Sequence, residues 1–421
     1  MPASNIDFTA VSHVIHFSVV PNSNGSLNSS ANSLTIGNSS DVVSRGHAAG
    51  RKVLVCVGGA GSQTGFQGAA SAANLSTFVT NLVNFMVARS YDGIDLDWEP
   101  LPSADFSQYT NLVNALRTAL NGFAPAKLLT AAVGAYPVYG DSATGQYTMF
   151  AALQAKFDQI NVMTYDLSGA YSGWVTWFNA PLYNGGLQFP GTSRFVPSTD
   201  EAVSNFIAGG VAPGKLGIGI AFYGYVWSGG TGTSTGGAAL PRQSWTSAPT
   251  TTAPSYDAIM TTYYQPSLYH WDTNAQAAYL SLDNPNSAND KFISYDDEHA
   301  CQAKVSYARN RSLGGVMIWE LGSGYRPGQP AGQRDPVLQA VKQSLATPRI
   351  VNVQSTNQDL QLDFTSLPLA RYRIQWTSNF PASAWQTLTS NVPGTNGTLH
   401  ITDPGAITGA PARFYRVQTP P

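Results

Sequence analysis

Cysteine is scarce in this chain, with two among 421 residues, Cys56 and Cys301. They stand far apart and in no metal-ligand spacing, which excludes a disulfide scaffold and argues against a zinc site. Cys56 lies in the apolar run KVLVCVGG and reads as a small buried hydrophobe. Charge is thin as well: 11% of residues are charged and the net charge is -2. There is no basic field for nucleic acid and no acidic run to repel it. No apolar stretch reaches the roughly 20 residues that cross a bilayer. The opening residues, MPASNIDFTAVSHVIHFSVV, lack the positive region and small-residue cleavage site of a signal peptide, so the chain is either cytoplasmic or directed by a signal outside this sequence.

What remains is apolar, aromatic and neutral polar. Hydrophobic residues make up 43%, enough for a large core and more than one folding unit. The 9 Trp and 20 Tyr, set among loops rich in Ser, Thr, Asn and Gly, suit neutral polar ligands such as sugars. Seven short runs read as strands: 13–20, 52–59, 93–99, 128–135, 159–166, 216–224 and 314–321. Most are nearly continuous in apolar character, as strands covered on both faces are. Helical stripes lie between them, with Leu75, Phe78, Val79, Leu82 and Met86 on one and Tyr109, Leu112, Leu116 and Leu120 on another. Strand and helix in alternation predict a parallel sheet, either a (β/α)8 barrel or a doubly wound sheet. VGGAGSQTG does not fit the dinucleotide pattern and no Walker lysine appears, so the barrel is favoured.

The interval from Tyr225 to Ser312 is too long for a simple connection and predicts an inserted α+β subdomain, 225–312, between the seventh and eighth strands. Residues 334–347 read as a closing helix, so that the barrel occupies 1–347. From 349 to 421 the pattern changes to alternating strands between Pro, Asn and Gly turns, an all-β, sandwich-like module. Its Trp376, Trp385, Phe414 and Tyr415 are read as core and spacing residues ahead of a sugar-stacking face.

The segment YDGIDLDWEP, 91–100, sets Asp95, Asp97 and Glu99 at every second position, with Ile94, Leu96 and Trp98 between. In a strand the three acids share one face. An antiparallel edge strand with a wet face explains such alternation without chemistry. A parallel series followed by a helix leaves neither face wet, so the acids line the barrel interior, where clustered carboxylates are costly unless used. Glu99, last on its strand, lies at the end where barrel enzymes hold their active sites. Paired acids suit glycoside cleavage: Glu99 as proton donor, with a negative Asp97 raising its pKa and Asp95 sharing a proton with Asp97.

DGIDLDWE resembles the D-G-x-D-x-D-x-E signature of glycoside hydrolase family 18, the chitinase family. CVGG resembles that family's S-x-G-G strand, MTYD (163–166) its sixth-strand motif and GGVMIWEL its last strand; WFNAPLY, WDTNAQAAY and ISYDDEHA resemble its loops and insertion domain. The resemblance runs from about Ile6 to Leu345. It implies retaining hydrolysis of β-1,4 bonds between N-acetylglucosamine units, with the substrate's acetamido oxygen as nucleophile and an oxazolinium intermediate. In that reading Glu99 protonates the leaving oxygen and Asp97 orients the acetamido N–H. Tyr165 bonds the acetamido carbonyl, Asp166 and Met163 shape the pocket, Trp319 forms its floor, and Gly59, Ala60 and Trp98 touch substrate. Outer sugar stacking is left open for Trp174, Trp177, Trp227 and Trp271. No metal or cofactor is implied. The expected partner is chitin or its oligosaccharides, with no nucleic acid and no membrane, and the expected protein is a secreted monomer. A chitin-binding lectin and an endo-β-N-acetylglucosaminidase acting on N-glycans are the rival readings.

The chain departs from the family in four places. Cys56 stands where the family has serine, Pro100 follows the donor where an aromatic is common, and Tyr225 replaces a frequent arginine. The family's first barrel strand should precede IDFTAVSHVIHF, where only a few residues are left for it. That predicts either seven strands with an open seam or another segment in the gap.

Overall fold

The computed structural model describes residues 1–346, 348–366, 371–382, 384–395, 397–409 and 412–418. Thr347, the last residue of the expected closing helix, lies outside them, as do parts of the C-terminal module. Two compact units are present, Met1–Leu338 and Gln339–Pro421.

The first unit is built on strands β1 (His13–Pro21), β2 (Leu27–Asn28), β3 (Lys52–Gly59), β4 (Gly93–Trp98), β5 (Leu128–Gly134), β6 (Gln159–Met163) and β7 (Leu216–Ala221). Five strands follow, β8 (Gly224–Ser228), β9 (Thr250–Thr252), β10 (Tyr269–Asp272), β11 (Ala277–Leu282) and β12 (Lys291–Tyr295), before β13 (Gly315–Trp319). The main sheet has the order β13-β7-β6-β5-β4-β3-β1-β2. All its pairings are parallel except that of the two-residue β2. Helices Leu75–Ala88 and Phe106–Leu120 press the predicted stripes inward; Phe78, Leu82, Met86, Tyr109, Leu112, Leu116 and Leu120 are all buried. This is the α/β barrel of the TIM type, with seven parallel strands.

Among the described residues no ladder joins β13 to β1, and no strand stands between them. The seam expected from the missing first strand is therefore open. Its physical mark is burial: every residue of β13 is half-buried, while every residue of β4 and β7 is fully buried. Near its upper end the rings of Phe17 and Trp319 meet edge to face at 4.8 Å.

Between β7 and β13 the chain forms an antiparallel sheet of order β10-β11-β12-β8-β9 together with helix Tyr256–Thr262, the inserted α+β subdomain. Helix Glu298–Asn310 then packs on β7 and β13. Its Lys304 is fully buried and ion-paired with Asp296, which also accepts the Ala221 N–H at the end of β7.

The second unit contains β14 (Ile350–Thr356), β15 (Asp359–Thr365), β16 (Arg371–Thr377), β17 (Gln386–Pro393), β18 (Thr398–Asp403) and β19 (Phe414–Gln418) in two three-stranded sheets. Its buried core is Leu362, Phe364, Tyr372 and Ile374, with Tyr415 packed against it. Trp376 and Trp385 were expected in that core but are half-buried at its margin, each with a guanidinium over its ring, Arg413 at 4.1 Å and Arg416 at 4.3 Å. Phe414 is exposed.

Candidate active site

Strand alternation on β4 does what the sequence pattern requires. Asp95 and Asp97 are 2% and 5% exposed, which rules out a wet edge strand. Parallel register sets Asp95 between Cys56 of β3 and Thr130 of β5, and Asp97 beside Gly58. The Thr130 hydroxyl donates to Asp95 at 2.5 Å and the Cys56 thiol bonds the same carboxyl. Gly58 has φ +110°, and a Cβ there would sit 2.0 Å from the Asp97 carbonyl oxygen, so only glycine lets β3 approach the acids this closely.

Burial pushes the Asp95 carboxyl up to about 6, against the pull of its two hydrogen bonds. Asp97 is driven well above the usual carboxylate range, first by burial and then by the charges of Glu99 and Asp95. Glu99 is raised too, and burial is the largest cause; Asp166 adds to it, whereas the hydrogen bond with Asp97 acts the other way. The expected direction for Glu99 is therefore found, but repulsion by a charged Asp97 is not its main cause. Asp97 and Glu99 share a hydrogen bond, so one proton serves both. Asp97 Oδ1 is buried with no hydrogen-bond partner among the described residues. Cys56 is buried and its thiol is pushed well up by burial and the neighbouring acids, which leaves it inert.

Met163, Tyr165 and Trp319 come together in one cluster with Ala180, Ala221, Tyr223 and Met317. Tyr165 can lie there because β7 offers glycine: a Cβ on Gly219 would meet its ring at 2.5 Å. Asp166 follows with φ +55° and donates its N–H to Asn179 at 3.0 Å. Tyr223 and Tyr225 both donate to Asp166 Oδ1, at 2.6 and 2.7 Å. Tyr225, where the family frequently has arginine, thus turns a neutral hydroxyl to Asp166.

Gly59 lies against Phe17, where a Cβ would be 2.6 Å from the ring, and Ala60 is exposed just beyond β3. Trp98 is not brought to the acids. It faces the helix layer, stacked on Phe66 at 4.6 Å with Tyr109 edge-on at 6.0 Å, because alternation puts it on the opposite side of β4. Trp177, on the segment after β6, and Trp227, on β8, are fully buried in one cluster where that segment packs on the insertion, and both bond backbone carbonyls, so neither offers a face to a sugar. Trp174 packs on Phe189, and Trp271 stacks on His299 at 3.8 Å. Thr130, Tyr223 and Asn179 were not singled out from sequence. A lone threonine in the apolar run LLTAAVG, and two tyrosines of equal parity in FYGY, are the signals that mark the first two.

The model of the Glycosyl hydrolases family 18 matches residues 3–324, and the chain belongs to that family. Chitinase A1 of Niallia circulans is 31% identical over 375 residues, covering 81% of this chain and 48% of that protein. The chain spans about half the length of this curated relative. A Group IV chitinase of Ostrinia furnacalis superposes with a TM-score of 0.69 at 22% identity, covering 82% of this chain and 95% of the other. A chitinase-like agglutinin of Robinia pseudoacacia does so at 0.64 with 24% identity, covering 82% and 96%. At these identities the two structures show the fold alone. No helix of the described residues is long and apolar enough to cross a membrane.

Proposed function

We propose that this chain hydrolyses β-1,4 bonds of chitin and its oligosaccharides by a retaining, substrate-assisted route. The observation that carries this reading is the acid row on β4, with Asp95 and Asp97 buried and Glu99 half-buried at its end, hydrogen-bonded to Asp97. An acetamido N–H donated to the Asp97 carboxyl favours its anion, so the shared proton rests on Glu99, where the glycosidic oxygen takes it. Substrate binding thus arms the acid. The acetamido oxygen, held by Tyr165, attacks the anomeric carbon as the leaving group departs. Water then adds to the anomeric carbon as its bond to the acetamido oxygen breaks, and one water proton passes to the Glu99 carboxylate. Asp95, held by Thr130 and Cys56, sets the charge of Asp97, and Asp166, Met163 and Trp319 bound the sugar.

In this reading the barrel, 1–347, performs the chemistry, the insertion, 225–312, deepens the cleft, and 349–421 is an accessory module. The enzyme is a secreted monomer, and the curated relative named a chitinase supports the substrate class. The lectin reading is disfavoured because all three acids are present, Asp95 and Asp97 buried and Glu99 half-buried beside them. Replacing Glu99 by Gln tests the proposal: release of N-acetylglucosamine oligomers from chitin is expected to fall about 100-fold or more. Full activity in that variant would end it.

A further inference from the structure

Glu99 stands one residue past the end of β4, whose ladder with β5 stops at Leu96 and with β3 at Trp98. Both polar groups of its main chain are nevertheless taken. Its N–H donates to the Ser62 hydroxyl at 3.4 Å, and its carbonyl accepts the Gln63 N–H at 3.2 Å. The same hydroxyl donates to the Asp97 carbonyl at 3.3 Å, so one buried serine bridges the chain from Asp97 to Glu99. Ser62 heads helix Gln63–Ala69 at the position where serine ordinarily caps, yet its side chain makes no cap bond. Asp105 repeats the pattern. It precedes helix Phe106–Leu120, a favoured capping place for aspartate, and caps nothing. Its carboxyl, 4% exposed, instead accepts from Gln63 Nε2 and from Gln67 Nε2, each at 2.9 Å, two amides one helical turn apart. The opposite side of that helix is pressed against the end of β1 and the turn after it. A Cβ on Gly65 would meet the Pro21 carbonyl oxygen at 2.0 Å, and one on Gly68 would meet Ser23 at 2.4 Å.

We propose that Asp105 is a positioning residue for the proton donor: it holds Gln63 and Gln67, these fix the loop that grips the Glu99 main chain, and the Glu99 carboxyl is thereby aimed at the glycosidic oxygen. The inference rests on the hydrolase reading above. An apolar side chain at 105 would fill the same space without the cost of burying a carboxyl, so the acid is there for its bonds. The leaving oxygen takes its proton only from a group within hydrogen-bond reach, and a drift of about 1 Å at such a group costs on the order of 100-fold. A donor that stands beyond its own strand needs a second support, and the loop from Ser62 to Gln67 supplies it. Asp97 is different, because it stays inside the ladder opposite Gly58. Loosening the loop therefore impairs proton donation while leaving the acetamido attack nearly intact.

The test compares two substrates on the unaltered full chain and on Asp105→Ala. Chitotetraose has a sugar leaving group that must be protonated, whereas 3,4-dinitrophenyl chitobioside releases a phenolate that departs without a proton. The expected result is a kcat on chitotetraose lowered about tenfold or more with KM within about twofold, and a kcat on the aryl substrate lowered by less than about threefold. A merely structural role would lower both alike. Equal falls on the two substrates in a folded variant, or no fall on chitotetraose, overturn the inference while sparing the hydrolase reading. If Asp105→Ala does not fold, Ser62→Ala decides by the same comparison. Failure of the hydrolase reading shows itself differently: the unaltered chain would cleave neither substrate, or Glu99→Gln would keep full activity on chitotetraose.

Discussion

At the residue scale the site turns on where one proton sits among four carboxyls. Glu99 must carry it to act, so the rate falls as pH rises through the folded-state pKa of Glu99, and every influence that raises this pKa extends activity to higher pH. Asp166 is such an influence, since its charge pushes Glu99 up and only neutral tyrosine hydroxyls face it on the Oδ1 side. Asp166→Asn removes the like charge, so the alkaline limb of the kcat/KM profile is expected to move to lower pH. A limb that stays in place or moves upward would contradict this assignment. The acid row itself was legible in sequence because a period of two in a parallel strand leaves no other face for it. The neighbours that fix its charge state were not. Thr130 reaches Asp95 through cross-strand register, and register is a product of packing along whole strands that a local pattern does not disclose.

Elements hold these residues to tolerances smaller than a methyl group. β7 reads as one more apolar strand, yet its Gly219 leaves the space in which the Tyr165 ring lies. Gly219→Ala drives a Cβ to 2.5 Å from that ring, so Tyr165 must shift. Since a displacement of about 1 Å at a positioning group costs on the order of 100-fold, kcat on chitotetraose is expected to fall about 10- to 100-fold with the melting temperature little changed. Equal losses of stability and activity would instead make Gly219 a simple packing residue. Strand positions were readable from apolar runs to within a few residues, because burial on both faces leaves a continuous signature. Aromatic roles were harder to read: Trp98 and Trp177 look alike in composition to Trp319, and only the face each strand or loop presents separates core from cleft.

On the scale of the whole molecule, the barrel's opposite end carries its own titration. His16 Nδ1 bonds the Tyr91 hydroxyl at 2.8 Å, and burial, with help from Arg89, lowers the His16 pKa to about 4 from its ordinary 6.5. The folded chain therefore binds fewer protons than the unfolded one between those values, so stability is lost as pH falls through that window. Allowing for the ring's partial exposure, His16 accounts for about 2 kcal/mol of this loss. Denaturant unfolding of the unaltered chain and of His16→Phe should show the difference between them shifting by about that amount in favour of the variant from pH 7 to pH 4. A constant difference would mean His16 is not the group involved. The seam between β1 and β13 was foreseeable as a count of strands, but whether another segment fills it depends on long-range placement, which no local period encodes.

The central claim is that the sugar's own acetamido group attacks while Asp97 and Glu99 pass a proton between them. Comparing chitotetraose with its fully deacetylated counterpart, at equal concentration and pH, tests this most directly. The account predicts cleavage of the acetylated tetramer alone. Comparable cleavage of the deacetylated one would show that the nucleophile comes from elsewhere and would contradict the account.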